Sequence, residues 1–169
     1  MKFWRNRRLW LFVAAGIGLA LFLGISAQNK LGFPLDDAWI HQTYARNLAQ
    51  NGRLEFTPGV TSTGSTAPLW TALLALGYLL VLPYLFWSYL LGGLSLVWLG
   101  CSGIRLWRAL WPKLAGRDWL AGVVLVLTWP MLWAAVSGME TLFFAAMGLQ
   151  LTAWYAEMVK AGAISGGQV

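Results

Sequence analysis

From Ala67 to Ile104 the chain runs for 38 residues without one charged side chain. A soluble core has no room for so long a segment away from water, whereas a bilayer takes about 20 apolar helical residues in each crossing of its hydrocarbon. Three further stretches are free of charge: Leu9–Ala27, Trp119–Val136 and Thr141–Ala156. The whole chain is 59% hydrophobic and only 11% charged, which excludes an ordinary globular domain, a disordered tail and a coiled coil. Twelve Lys and Arg against six Asp and Glu give a formal charge of +6. They fall in short groups between the apolar stretches, as membrane topology signals do and a nucleic-acid-binding face does not. Cys101, the sole cysteine, can build neither a disulfide framework nor a thiolate metal site. The fold class expected is all-α: a polytopic membrane helical bundle.

The basic groups then choose the topology. Leu9–Ala27 follows Lys2, Arg5, Arg7 and Arg8. It exceeds the roughly 7–15 residues of a signal-peptide core and has no clear small-x-small cleavage site, so a retained helix is preferred to a signal peptide. Pro83 divides the 38-residue stretch into 67–82, short for a crossing, and a second part that is long enough. If 67–82 lies in or dips into the outer interface, the basic N-terminus, the connector with Arg105, Arg108, Lys113 and Arg117, and the tail with Lys160 share the cytoplasmic side. A two-crossing hairpin would put that connector outside, against the positive-inside rule. The sequence therefore predicts four spans near 9–27, 84–104, 119–136 and 141–158, a cytoplasmic N-terminus, an external loop 28–66 and an interfacial or re-entrant helix 67–82. Trp residues near the span ends, such as Trp10, Trp107, Trp111 and Trp119, suit interfacial anchoring.

Within the external loop, residues 38–50 predict an amphipathic surface helix. Ile40, Tyr44 and Leu48, with Ala45 beside them, form an apolar stripe, and His41, Gln42, Arg46 and Gln50 form the opposite face. Asp36 and Asp37 precede it, where either can cap free backbone N–H groups and the helix dipole favours both. Alternatively, one carboxylate is a general base aimed at a hydroxyl at the water–lipid boundary. The pair also suits a divalent cation, for which Glu55 and Glu140 are the further oxygen ligands on offer; no other cofactor is called for. The segment NGRLEFTPGVTSTGSTAPLW predicts a turn-rich loop, with Ser65 or Thr66 capping a helix whose first turn takes Pro68. Glu140 either caps the last span or faces the same cavity as the Asp pair. His41, the sole histidine, excludes a triad and a His-based zinc site and is at most a substrate contact. Gly92, Gly93, Gly100 and Gly103 predict close helix packing.

The stretch DDAWIHQTYARNLAQNG-(x)-LEFTPG-(x)-TSTGSTAPLWTALLAL, a helix with a basic exit, and then SGMETLFF together resemble the N-terminal part of GT-C-type membrane glycosyltransferases. These are bacterial inner (plasma) membrane enzymes using polyprenyl-phosphate-linked sugars, among them arabinofuranosyl-, mannosyl- and aminoarabinose transferases. The likeness runs from about Leu31 to Tyr155. It implies a catalytic Asp in the first external loop, corresponding best to Asp37 with Asp36 second. It also implies an acidic residue at Glu140 in the second external loop; on the residues themselves, His41 and Arg46 are the further candidate substrate contacts, Arg46 being one of three external cations, with Lys30 and Arg53, that could hold the lipid phosphate. The reaction implied is one displacement with inversion onto a glycan or lipid acceptor hydroxyl. Enzymes of that kind are several times longer and take their phosphate-holding cations from later segments. The expectation is thus a chain carrying the entrance and the base, with a C-terminal portion as partner. Two other readings stand beside it: a non-catalytic multi-pass subunit binding a lipid or protein, and a small transporter, for which spans without a buried charge offer no ion path.

Overall fold

The computed structural model describes residues 11, 13–20, 22–24, 32–62 and 64–162. The basic segment before Leu9, the ends of the proposed span 9–27, Lys30 and the tail beyond Gly162 lie outside the described residues. Almost everything described is helical: α1 (Val13–Gly24), α2 (Asp36–Asn51), α3 (Pro68–Leu79), α4 (Tyr84–Leu110), α5 (Asp118–Leu127), α6 (Trp129–Val136) and α7 (Thr141–Lys160). The exception is a small antiparallel hairpin, β1 (Glu55–Thr57) and β2 (Val60–Thr61), where the sequence predicts a loop.

The helices α4, of 27 residues, and α7, of 20, are long and apolar enough to cross a membrane; at 1.5 Å per residue they reach about 40 and 30 Å. Only 22% of the apolar window of α7 is buried, so most of its hydrocarbon faces outward, as a lipid-solvated helix does and a soluble one does not. A third crossing counts if α5 and α6 act as one span. They meet at a 57° bend, not as the single helix expected over 119–136. Pro130 lacks an N–H and its ring excludes the carbonyl four residues earlier. The chain accordingly turns extended at Thr128 and restarts with Pro130 in the first turn of α6.

The predicted span 84–104 is also longer than expected, running on to Leu110. Its last turns carry Arg105 and Arg108, and both are neutralised by partners. Arg105 grips Glu157 of α7 with two hydrogen bonds, of 3.1 and 2.6 Å, and Arg108 pairs with the fully buried Asp118. Deeper in the same seam, Gln150 donates its amide to Ser102 Oγ (3.0 Å) while its oxygen accepts from Arg105 (2.7 Å) and Trp154 (3.1 Å). Such a satisfied polar ladder between two apolar helices fixes their register.

One core joins α1, α4, α5, α6 and α7 through Phe22, Leu96, Leu99, Val126, Leu132 and Leu142. Its closest approach is at Gly92, where a Cβ would stand 1.8 Å from the Ala135 carbonyl oxygen. A second, smaller cluster around Trp70 and Leu74 joins α2 and α3 to Phe143 of α7. Because α4 and α7 run parallel, pairing Trp98 with Phe143, Ser102 with Gln150 and Arg105 with Glu157, while α5 and α6 return between them, the connectors sort to opposite ends. Helices α2 and α3, the hairpin and the turn 137–140 cap the end where α4 begins; Arg105, Arg108, Lys113, Arg117, Asp118, Glu157 and Lys160 gather at the other.

The apolar α3 has 12 residues, about 18 Å and too short to cross. It ends in a Schellman turn, with Leu82 N–H bonded to Gly77 O (2.9 Å). The residue in the left-handed position is Val81 (φ 56), where glycine is the usual choice.

Candidate functional site

The capping layer is built on α2. Its N-terminal residue before the first turn, Leu35, is extended and offers no side-chain cap. Asp36 and Asp37 sit inside the first turn instead of capping it, and both are exposed. Four free N–H groups and the positive end of the helix dipole lie at that turn and favour two carboxylates there. Among the described residues neither Asp makes a side-chain hydrogen bond or ion pair.

The amphipathic expectation for this helix is reversed on one flank. Arg46 and Gln50 point out, but His41 and Gln42, expected on the solvent face, are buried beside Ala38, Tyr44, Ala45 and Asn47. Partners explain the reversal, since a polar group can leave water when its hydrogen bonds are replaced. Gln42 donates to Ser88 Oγ of α4 (2.7 Å) and accepts from the Tyr78 hydroxyl of α3 (2.9 Å). One amide thus ties three helices. Burial pushes the Tyr78 phenol above its ordinary value, with the nearby Arg46 cation pulling the other way, so Tyr78 stays a neutral donor. Asn47 donates to the carbonyls of Glu55 and Phe56, each at 2.9 Å, and holds the hairpin against the helix.

The hairpin accounts for Glu55. Its carboxylate is buried, Oε1 accepting from Asn51 Nδ2 and Oε2 from Gly59 N–H, both at 2.9 Å. Glu55 is therefore a staple and unavailable to a cation at the Asp pair. Among the described residues no three His, Cys, Asp or Glu side chains converge as metal ligands. The hydroxyl-rich stretch is likewise committed to structure. Tyr44 Oη meets Ser62 Oγ (2.5 Å) and accepts from Gly64 N–H (2.9 Å), and a Cβ on Gly64 would stand 2.8 Å from that phenol oxygen. Neither Ser65 nor Thr66 caps α3: the capping position is Ala67, and Ser65 Oγ bonds Thr71 Oγ1 instead (2.7 Å). Pro68 does occupy the first turn.

Glu140 sits at the capping position of α7 but makes no cap bond. Its carboxylate faces the imidazole of His41, with Nε2 and Oε2 3.2 Å apart. That contact is short enough for an ion pair but not aligned as a hydrogen bond; among the described residues Glu140 Oε2, and separately the other ring nitrogen, His41 Nδ1, are buried without a hydrogen-bond partner. His41 is 2% exposed. The turn bearing Glu140 is docked from two sides: Trp70 Nε1 donates to Gly138 O (3.0 Å), and the Phe33 ring covers Gly138, whose φ of 78 and lack of a Cβ permit that approach.

Of the five residues the sequence singles out, the fold therefore joins His41 to Glu140. It puts Asp37 four residues before His41, on the same flank of α2. Asp36 and Arg46, each five residues from His41, lie about 140° round the helix. The residues that sequence reasoning missed are Gln42, Asn47, Tyr78, Ser88 and Trp70. A helical side chain gives no sign in sequence of a hydrogen-bond partner up to 68 positions away. No protein-family model, curated protein or solved structure matches the chain.

Proposed function

We propose that the chain is the amino-terminal part of a GT-C-type membrane glycosyltransferase that moves a sugar from a polyprenyl-phosphate donor to a glycan or lipid hydroxyl. The observation that carries the reading is Asp37: an exposed carboxylate without a partner among the described residues, one turn before the buried His41–Glu140 pair, on a layer capping one end of an apolar bundle. In the proposed step its carboxylate takes the acceptor hydroxyl proton as that oxygen attacks the anomeric carbon. The sugar–phosphate C–O bond breaks with inversion, and the lipid phosphate leaves with the bonding pair. Asp36 is the neighbouring charge, and Arg46 is the exposed cation on the same helix, available to the departing phosphate.

The same proposal places the membrane. The bundle crosses a bacterial inner membrane four times, with α1 first and α3 lying in the outer interface. The cytoplasmic end carries Arg105, Arg108, Lys113, Arg117 and Lys160 against Asp118 and Glu157. The outer end carries Asp36, Asp37, Glu55 and Glu140 against Arg46 and Arg53. That asymmetry supports the orientation through the positive-inside rule.

A second reading, a non-catalytic subunit, is favoured by one observation: Ser62, Ser65 and Glu55, which could have met a sugar, are consumed by the fold. The two separate on Asp37→Asn. Sugar transfer in membranes holding the chain with its native complement should fall at least about 100-fold, the scale of a lost general base. Undiminished transfer by a variant with unchanged thermal stability would remove Asp37 as the base and leave the subunit reading.

A further inference from the structure

At the end opposite the Asp pair, α4 and α5 leave a groove of about 540 Å³ between them, lined by Gly103, Leu106, Trp107, Trp111, Leu120 and Val124 among others. Its volume falls within the roughly 300–1,000 Å³ of small-ligand sites, yet its walls are almost wholly apolar. The polar groups stand at the rim. Trp107 Nε1 donates to Leu114 O (3.2 Å), which holds the 3-10 turn Pro112–Arg117 against the end of α4, between the lining residues Trp111 and Leu120 in sequence. That turn presents Lys113 and Arg117, both exposed.

Among the described residues the other cations at this end have partners. Arg105 is held by Glu157 and Arg108 by Asp118, and Lys160 reaches the Arg108 carbonyl (3.4 Å). Among the described residues Lys113 and Arg117 make no hydrogen bond or ion pair, so two exposed positive charges stand two and three residues from Trp111 and Leu120, which line the slot. The Trp107 and Trp111 rings, 5.0 Å apart, mark the depth at which a bilayer passes from acyl chain to headgroup.

We propose that this groove is a binding site for an anionic phospholipid, one acyl chain lying along α5 past Leu120 and Val124 and the headgroup phosphate held by Lys113 and Arg117. A zwitterionic lipid fills the slot equally but brings no net charge to the rim, so the site discriminates by headgroup. The site is independent of sugar transfer and stands whether or not Asp37 is a base.

Native mass spectrometry of the purified full chain tests it, using phosphatidylglycerol and phosphatidylcholine with identical acyl chains. The chain should retain phosphatidylglycerol preferentially. Basic side chains near a membrane surface contribute about 5-fold each, so Lys113→Gln with Arg117→Gln should weaken phosphatidylglycerol about 30-fold and leave phosphatidylcholine unchanged. Lys113→Arg with Arg117→Lys should restore retention, which separates a charge effect from a folding defect. Val124→Trp, at a residue 60% exposed, should fill the slot and weaken both lipids. Equal retention of the two lipids, or no effect of the Gln pair, overturns the headgroup assignment. Undiminished binding to Val124→Trp overturns the groove. A dimer that Val124→Trp converts to monomer would show that a second copy, and not a lipid, covers this face.

Discussion

Gly92→Ala adds a single methyl group at the tightest point of the bundle. The new carbon would lie 1.8 Å from the Ala135 oxygen and 2.7 and 3.1 Å from its carbonyl carbon and Cα, where ordinary contact begins near 3.4 Å. The obstacle is the backbone of α6, so no rotamer change relieves it, and α4 and α6 must part. Parting strips van der Waals contact from Leu96, Leu132 and Ala135 together, and a gap of even about 0.5–1 Å forfeits a quarter to a half of each contact. Overpacking of this kind costs about 1–3 kcal/mol, partly offset by the roughly 1 kcal/mol helical advantage of Ala over Gly. The control is Gly148→Ala on α7, where a Cβ meets nothing within 4 Å and only the propensity gain remains. The propensity gain is common to both, so the two variants should differ by the overpacking cost, about 1–3 kcal/mol, or roughly 2–12 °C in melting temperature for a chain of this size. Thermal unfolding in one detergent, followed by near-ultraviolet circular dichroism, reads the difference. Coincident melting curves would refute the close approach of α4 and α6.

Three further outcomes follow from particular residues. Val81→Gly should stabilise the protein by about 1 kcal/mol, because a β-branched residue at φ 56 carries the left-handed penalty that glycine avoids; a lower melting temperature would contradict the turn geometry. Tyr78 has a folded pKa raised above its ordinary 10.0. Its contribution to stability is complete below that value and is lost as pH climbs from it toward the folded pKa, since the unfolded chain releases the proton first. Tyr78→Phe should flatten the alkaline end of the stability profile while costing about 1 kcal/mol at pH 7 through the stranded Gln42 oxygen, and an unaltered profile would exclude Tyr78 as the source. In a Cys101→Ser background, cysteine at Gln50 should react with an impermeant thiol reagent from outside the cell and cysteine at Lys113 only after permeabilisation. The reverse pattern would invert the proposed orientation.

Charge spacing and small residues made the framework legible. The two long helices, the helical start at Asp36–Asp37, Pro68 in the first turn of α3 and the glycine contacts along α4 all follow from local chemistry. The break at Thr128 was legible in Pro130, yet an 18-residue apolar run outweighed it. What stayed hidden depends on distant pairing. His41 and Gln42 read as a wet helix face because nothing in their neighbourhood announces Glu140 or Ser88, and Asn47 gave no sign of the Glu55 and Phe56 carbonyls it binds. Glu55 read as a spare carboxylate because the hairpin that buries it comes from turn residues whose strands are only three and two residues long.

Trp70 and the Gly138 carbonyl it holds are separated by 68 residues, which gives the capping layer a schedule. At about 5–20 residues synthesised per second, roughly 3–14 seconds pass between the two. In that interval α2, the hairpin and α3 can complete their own contacts: Tyr44 with Gly64, Asn47 with Phe56, Gln42 with Tyr78. The lid of the bundle is thus finished before all of the seat it rests on has been made. A ribosome halted short of Gly138 should carry that lid folded and moored to α4 alone, through Gln42 and Ser88, and the arrival of the turn 137–140 adds the second mooring.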